Sequence, residues 1–132
     1  MAHILNPDTL RPLQSKFDGV YAHSKWISRP ERLVSFAGQI GVAMDGTTLP
    51  TFEEQCHQAM DYVEALLEAH QLNLSDIIKV TYYVTRPDDL PALTAIRQER
   101  WHSDMPPAVT TLVVAGLATP ELLVEIDVLA GR

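Results

Sequence analysis

The chain has 132 residues, 10 Lys and Arg against 17 Asp and Glu, a formal net charge of -7 and one cysteine. A single cysteine excludes an intrachain disulfide and a cysteine-rich zinc centre, and so few scattered cations argue against nucleic acid as a partner, because phosphate neutralisation needs clustered Lys and Arg. Neither a secretory leader pattern nor a run of about 18 apolar residues occurs, so residues 1–132 are expected to form one soluble cytoplasmic domain with no membrane partner.

Residues 1–16, with Pro7 and Pro12 and no sustained period, read as an irregular arm. Phe17 to His23 reads as a turn and a first short strand, and Ser24 to Glu31 as a loop. Tyr21 has the amphipathic shape that suits either half-buried packing or a ligand pocket. Arg32 to Val42 reads as the next strand, with Gly38 marking a bulge or a close approach of the backbone. Thr51-Phe52-Glu53-Glu54 fits a capping box. After it Phe52, Cys56, Ala59, Met60, Val63, Leu66 and Leu67 recur at helical spacing over about 16 residues. Cys56 on that stripe reads as a small buried hydrophobe, and His57 and His70 lack the further ligands that a metal site requires.

Ile77 to Thr85 is the best strand pattern, with Ile78, Val80, Tyr82 and Val84 on one face and Lys79, Thr81, Tyr83 and Thr85 on the other. Asp89 is placed to cap a second helix from Leu90 to Trp101, on which Thr94, Arg97 and Trp101 share a stripe. Such a stripe is usually a solvated edge. Met105-Pro106-Pro107 stops the chain from continuing as helix and starts a strand in which Val109, Thr111 and Val113 alternate with Thr110, Leu112 and Val114. In the last strand, Leu122 to Leu129, the carboxylates of Glu125 and Asp127 stand on the face opposite Leu122, Val124, Ile126 and Val128. The predicted order is ββαβαββ, an α+β domain whose mixed sheet is covered on one face by two helices. The other face, assigned Val109, Val113, Tyr83 and Leu123, is apolar enough to suggest burial in an oligomer.

Gly19-Val20-Tyr21, Ser35-Phe36-Ala37-Gly38-Gln39-Ile40-Gly41, Val80-Thr81-Tyr82-Tyr83-Val84, Met105-Pro106-Pro107-Ala108 and Val124-Glu125-Ile126-Asp127, in this order and spacing, resemble the Rid family of YjgF-type reactive-intermediate deaminases. The resemblance implies a chorismate-mutase-like fold, a homotrimer with clefts between subunits, a small-molecule ligand and cofactor-free hydrolysis of 2-imino or 2-enamino acids. It also implies that Tyr21 lines the pocket, that the backbone of Gly38 approaches the substrate, that Thr94 replaces a helix asparagine, that Thr111 replaces a frequent cysteine, and that Glu125 directs the attacking water.

Active members carry arginine directly after the Pro-Ala pair, where this chain has Val109. A guanidinium there would grip a substrate carboxylate through charge-assisted hydrogen bonds of roughly 1.5–3 kcal/mol each. The usual 2-imino acid activity is therefore not expected. Either the substrate has no carboxylate to grip or another cation replaces the clamp, for which Arg97 is the candidate. Two readings stay open: hydrolysis of a related C–N bond with Glu125 as the catalytic group, or a trimeric binding or regulatory protein without chemistry.

Overall fold

The computed structural model describes residues 1–132. Its elements run β1 (Ala2–Leu5), β2 (Ser24–Ile27), β3 (Leu33–Ser35), β4 (Gln39–Ile40), α1 (Phe52–Ala69), β5 (Ile77–Val84), α2 (Leu90–Arg100), β6 (Ala108–Val113) and β7 (Val124–Gly131). The five-stranded sheet has the order β3-β7-β5-β6, and β4 shares with β3 the same edge of β7. Only β5 and β6 run parallel, and α2 supplies the crossover that a parallel pair requires. Two helices on a mixed sheet match the expected α+β class.

α1 begins where its capping box places it. The Glu54 amide donates to Thr51 Oγ1 and the Thr51 amide donates to Glu54 Oε2, each at 3.2 Å. Phe52, Cys56, Ala59, Met60, Val63 and Leu67 bury the expected stripe against Val124, Ile126, Val128 and the inner face of β5. Leu66 packs against this core while remaining partly exposed.

Several expectations are corrected. The N-terminal arm contains β1, which pairs antiparallel with β2 inside the segment read as a loop, so the element order is ββββαβαββ. Phe17 to His23 is a helical turn and a bend, not a strand, and pairs with the sheet only where Ala22 bridges Ala108. Arg32 to Val42 is two short strands with a break at Phe36–Gly38. A bulge between Ile77 and Lys79 buries Ile77 in place of Ile78. Asp89 does not cap α2, because its carboxylate is bound by Arg86 at 2.8 and 3.1 Å.

The apolar face also needs revision. Val109 and Val113 lie opposite Val80 and Val84 in the parallel register, which turns them toward the helix-covered side. Val109 and Leu123 pack against the core. The open face carries Lys79, Thr81, Tyr83, Thr110, Leu112, Glu125 and Asp127 instead.

Two buried polar side chains tie the loops to this frame. Gln55, 1% exposed, donates to the carbonyls of Leu49 and Glu121 at 2.9 Å and accepts the Leu123 amide at 2.8 Å. Lys25, 8% exposed, donates to the carbonyls of Ser75, Ile77 and Met105 at 2.6, 2.8 and 2.7 Å. It thus pins the hairpin of β1 and β2 to the start of β5 and to the segment before β6. Burial pushes its ammonium down to about 8, and the nearby Asp76 opposes that shift.

Gln55→Met removes three hydrogen bonds at constant bulk, and urea unfolding should show a loss of about 2–4 kcal/mol as buried carbonyls and an amide lose their partner. For Lys25 the pH dependence is the readout. Below pH 8 both folded and unfolded chains hold the proton; between pH 8 and about 10.5 the folded chain releases it first, so stability gained relative to Lys25→Met should rise across that window. A flat difference in urea midpoint between the two proteins from pH 7.5 to 10.5 would contradict a depressed lysine.

Candidate functional site

The candidate residues fall into two groups on opposite faces of the sheet. The first is Glu125 with Gly38. Pairing of Gln39 with Ile126 and Ile40 with Glu125 draws the break at Phe36–Gly38 across the end of β7. A Cβ placed on Gly38 would stand 2.2 Å from Glu125 Oε2, so only a bare α-carbon allows this approach. Glu125 is half-buried on the open face, in register with Tyr83. It takes no part in the ion pairs of the chain, which join Arg86 to Asp89, Arg100 to Asp61 and Glu64, and Arg132 to Asp76. A carboxylate free of a cationic partner keeps its basic lone pairs available to a bound water.

The second group lies beneath and beside α2. Tyr21 meets the Phe17 ring edge-on at 5.5 Å, and the Arg97 guanidinium carbon lies 6.0 Å from the centre of Phe17 and 4.8 Å from that of Tyr82. Tyr82 is the cross-strand partner of Thr111, and Val109 lies two residues earlier on the same face of β6. Thr94, half-buried, is one turn before Arg97 on α2. The stripe of Thr94, Arg97 and Trp101 is therefore no solvated edge. Arg97 and Trp101 are both 6% exposed, and the Trp101 indole donates to Glu64 at 3.2 Å. No hydrogen bond reaches the buried Nε and Nη2 of Arg97. Stacking of a desolvated cation on an aromatic ring returns about 2 kcal/mol or more, against the several kcal/mol that desolvating an ion costs.

Within one chain the two groups do not meet. β5 separates β7 from β6, so Glu125 and Thr111 stand about two strand spacings apart, roughly 10 Å, with side chains on opposite faces. Tyr21 also borders a 350 Å³ cavity whose lining includes Asp18, Gly19, His102 and Ser103. Gly19, at φ +76°, leaves no room for a side chain, since a Cβ would lie 2.2 Å from the His102 ring. His102, Phe17 and Tyr82 carry no sequence signal of a site: Tyr82 reads as core, and Phe17 and His102 flank turns.

Other reactive side chains are set aside by their surroundings. Burial pushes the Cys56 thiol up to about 12, which makes it a poor nucleophile at neutral pH. No three of the His, Cys, Asp and Glu side chains converge as metal ligands would. No helix is long and apolar enough to cross a membrane.

This arrangement has close relatives. The chain resembles the RutC family protein YjgH of Escherichia coli, 31% identical over 102 residues that make up 75% of this chain and 78% of that protein. It also resembles a 2-iminobutanoate/2-iminopropanoate deaminase of Dermatophagoides farinae, 30% identical over 86 residues, 64% of this chain and 66% of the other. The crystal structure of YyfB from Yersinia pestis, a Rid family protein described as of unknown function, superposes with a TM-score of 0.85 at 25% identity, covering 99% of this chain and 98% of that one. The family model described as Endoribonuclease L-PSP matches residues 14–131. By sequence and by fold alike, the chain belongs to the YjgF/Rid family.

Proposed function

We propose that this protein binds a small metabolite in a cleft formed between copies of the chain, and hydrolyses an imine, enamine or related C–N bond of a compound other than the usual 2-imino acids. The observation that carries this reading is the fit of Gly38 against Glu125. The reading calls for a homotrimer. Half-sites on opposite faces of one sheet cannot share a ligand within a chain, but Glu125 and Gly38 of one copy can face Tyr21, Val109 and Thr111 of the next. The -7 charge favours a small molecule over the ribonucleic acid that the family's description would suggest.

The chemistry asks little of the protein. An iminium carbon is already electrophilic, so Glu125 takes a proton from a water as its oxygen bonds that carbon, forming a carbinolamine. Glu125 then returns that proton to nitrogen and takes the proton of the carbinolamine hydroxyl as the C–N bond breaks, which yields the carbonyl product and ammonia or an amine and leaves one proton for the released amine or solvent. The second reading, a binding or regulatory protein without turnover, is favoured by Val109, whose apolar side chain offers no grip on a substrate carboxylate.

Glu125→Gln should abolish turnover, at least 10²-fold in kcat/KM, on amine-derived imines bearing acidic, neutral and basic side chains, with sedimentation equilibrium unchanged. Gly38→Ala should lose at least tenfold by displacing that carboxylate. Wild-type protein that binds metabolites yet turns over none of the imines would establish the binding reading. Val109→Arg should restore at least tenfold activity on 2-iminobutanoate if the rest of the pocket is intact, measured as ammonia release beside a threonine dehydratase; continued inactivity would locate the lost activity beyond the clamp.

A further inference from the structure

We infer that Arg97 is the anion-binding group of this cleft and that the ligand carries a carboxylate held from α2 rather than from β6. The inference rests on the Rid-type reading of the cleft and adds the charge of its ligand. Arg97 is 6% exposed, stacked on Tyr82, and leaves Nε and Nη2 without hydrogen-bond partners. It belongs to none of the chain's ion pairs. Arginine cannot relieve this by losing its proton, so the buried charge calls for an anion that the folded chain does not itself supply.

The position adjoins the other candidate residues. Tyr82, under the guanidinium, is the cross-strand partner of Thr111, and Phe17, beside it, touches Tyr21. One turn back along α2, Thr94 borders a 480 Å³ groove shared with Lys16 and Gln98, whose lining contains no acidic residue although the chain is acidic overall. Lys16 Nζ lies 5.1 Å from the centre of the Phe17 ring, which the Arg97 guanidinium also approaches. The wall at Val109 is apolar, and the Lys25 ammonium before β6 is already held by three carbonyls, which leaves Arg97 as the unpartnered cation beside Tyr82. A carboxylate held there approaches the pocket from a different direction than one gripped at position 109, consistent with a substrate other than a 2-imino acid.

The test compares butyrate with its neutral isostere butyramide at matched ionic strength, by NMR titration and thermal unfolding of the full chain. Wild-type protein should prefer butyrate by tenfold or more, the discrimination expected of one charge-assisted hydrogen bond. Arg97→Met should lose that preference while its unliganded unfolding temperature stays equal or rises, because an unpaired buried charge has been replaced by an apolar side chain. Arg97→Lys should retain part of the preference. A merely structural arginine predicts the reverse: a lowered unfolding temperature in Arg97→Met and no preference for butyrate in either protein. Preference that survives in Arg97→Met would overturn the inference, as would dissociation of Arg97→Met copies without any butyrate preference in wild type, which would identify a neighbouring copy as the source of the anion. Wild-type protein separates the two claims: if it prefers butyrate through Arg97 but hydrolyses none of the imines, only the hydrolytic reading is refuted.

Discussion

The buried amide of Gln55 is the contact on which the Glu125 side of the molecule depends. From the first turn of α1 it holds the carbonyl of Leu49, beyond β4, and both the carbonyl of Glu121 and the amide of Leu123, just before β7. Gly41 makes this possible, since a Cβ there would lie 2.2 Å from that of Gln55. One side chain therefore fixes β4 and β7 against the same helix, and the two strands in turn set Gly38 on Glu125. The helix start is itself held by the Thr51–Glu54 box, so a local capping signal positions a carboxylate seventy residues later in the chain.

Lys25 plays the corresponding part at the other edge. It joins the hairpin of β1 and β2 to the carbonyl of Met105, directly before the two prolines that start β6. A buried ammonium with three carbonyl acceptors is a poor source of net stability but a strong constraint on geometry, because each acceptor fixes one direction. The strand carrying Val109 and Thr111 is thereby held at its start by side chains and along its length by β5.

Much of this frame was legible in the residues. α1 was readable because capping box and apolar stripe agree, and β7 and most of β5 because their alternation is long, the bulge between Ile77 and Lys79 apart. The hairpin was not, since β1 and β2 have four residues each and their placement rests on Lys25, whose long-range contacts no local pattern announces. The face of Val109 was misassigned for a related reason: alternation says which residues share a face, while the parallel register with Val80 and Val84 says which face it is. Arg97 and Trp101 looked solvated because α2 offers only Leu93 and Ile96 as clear apolar anchors. Its remaining inner surface is completed by an amphipathic tryptophan and a stacked guanidinium, residues that periodicity counts as polar or ambiguous. At the site, Glu125 and Gly38 were named separately, and only the fold showed that they touch.

The two groups are held in fixed relation by a single step along β5. Tyr82 faces the helices beneath Arg97, and Tyr83, the next residue, faces the open side in register with Glu125. Successive side chains of a strand point to opposite faces, so the cation and the carboxylate cannot shift relative to one another without breaking the pleat of the strand that lies between β7 and β6. An intersubunit cleft built from such a sheet would gain its precision from rigid docking of whole protomers rather than from movement within one. Arg97 and Glu125 are kept on opposite faces of one sheet. That separation prevents the chain from neutralising its own arginine with its own glutamate, and in the proposed assembly it leaves both groups for a molecule held between copies.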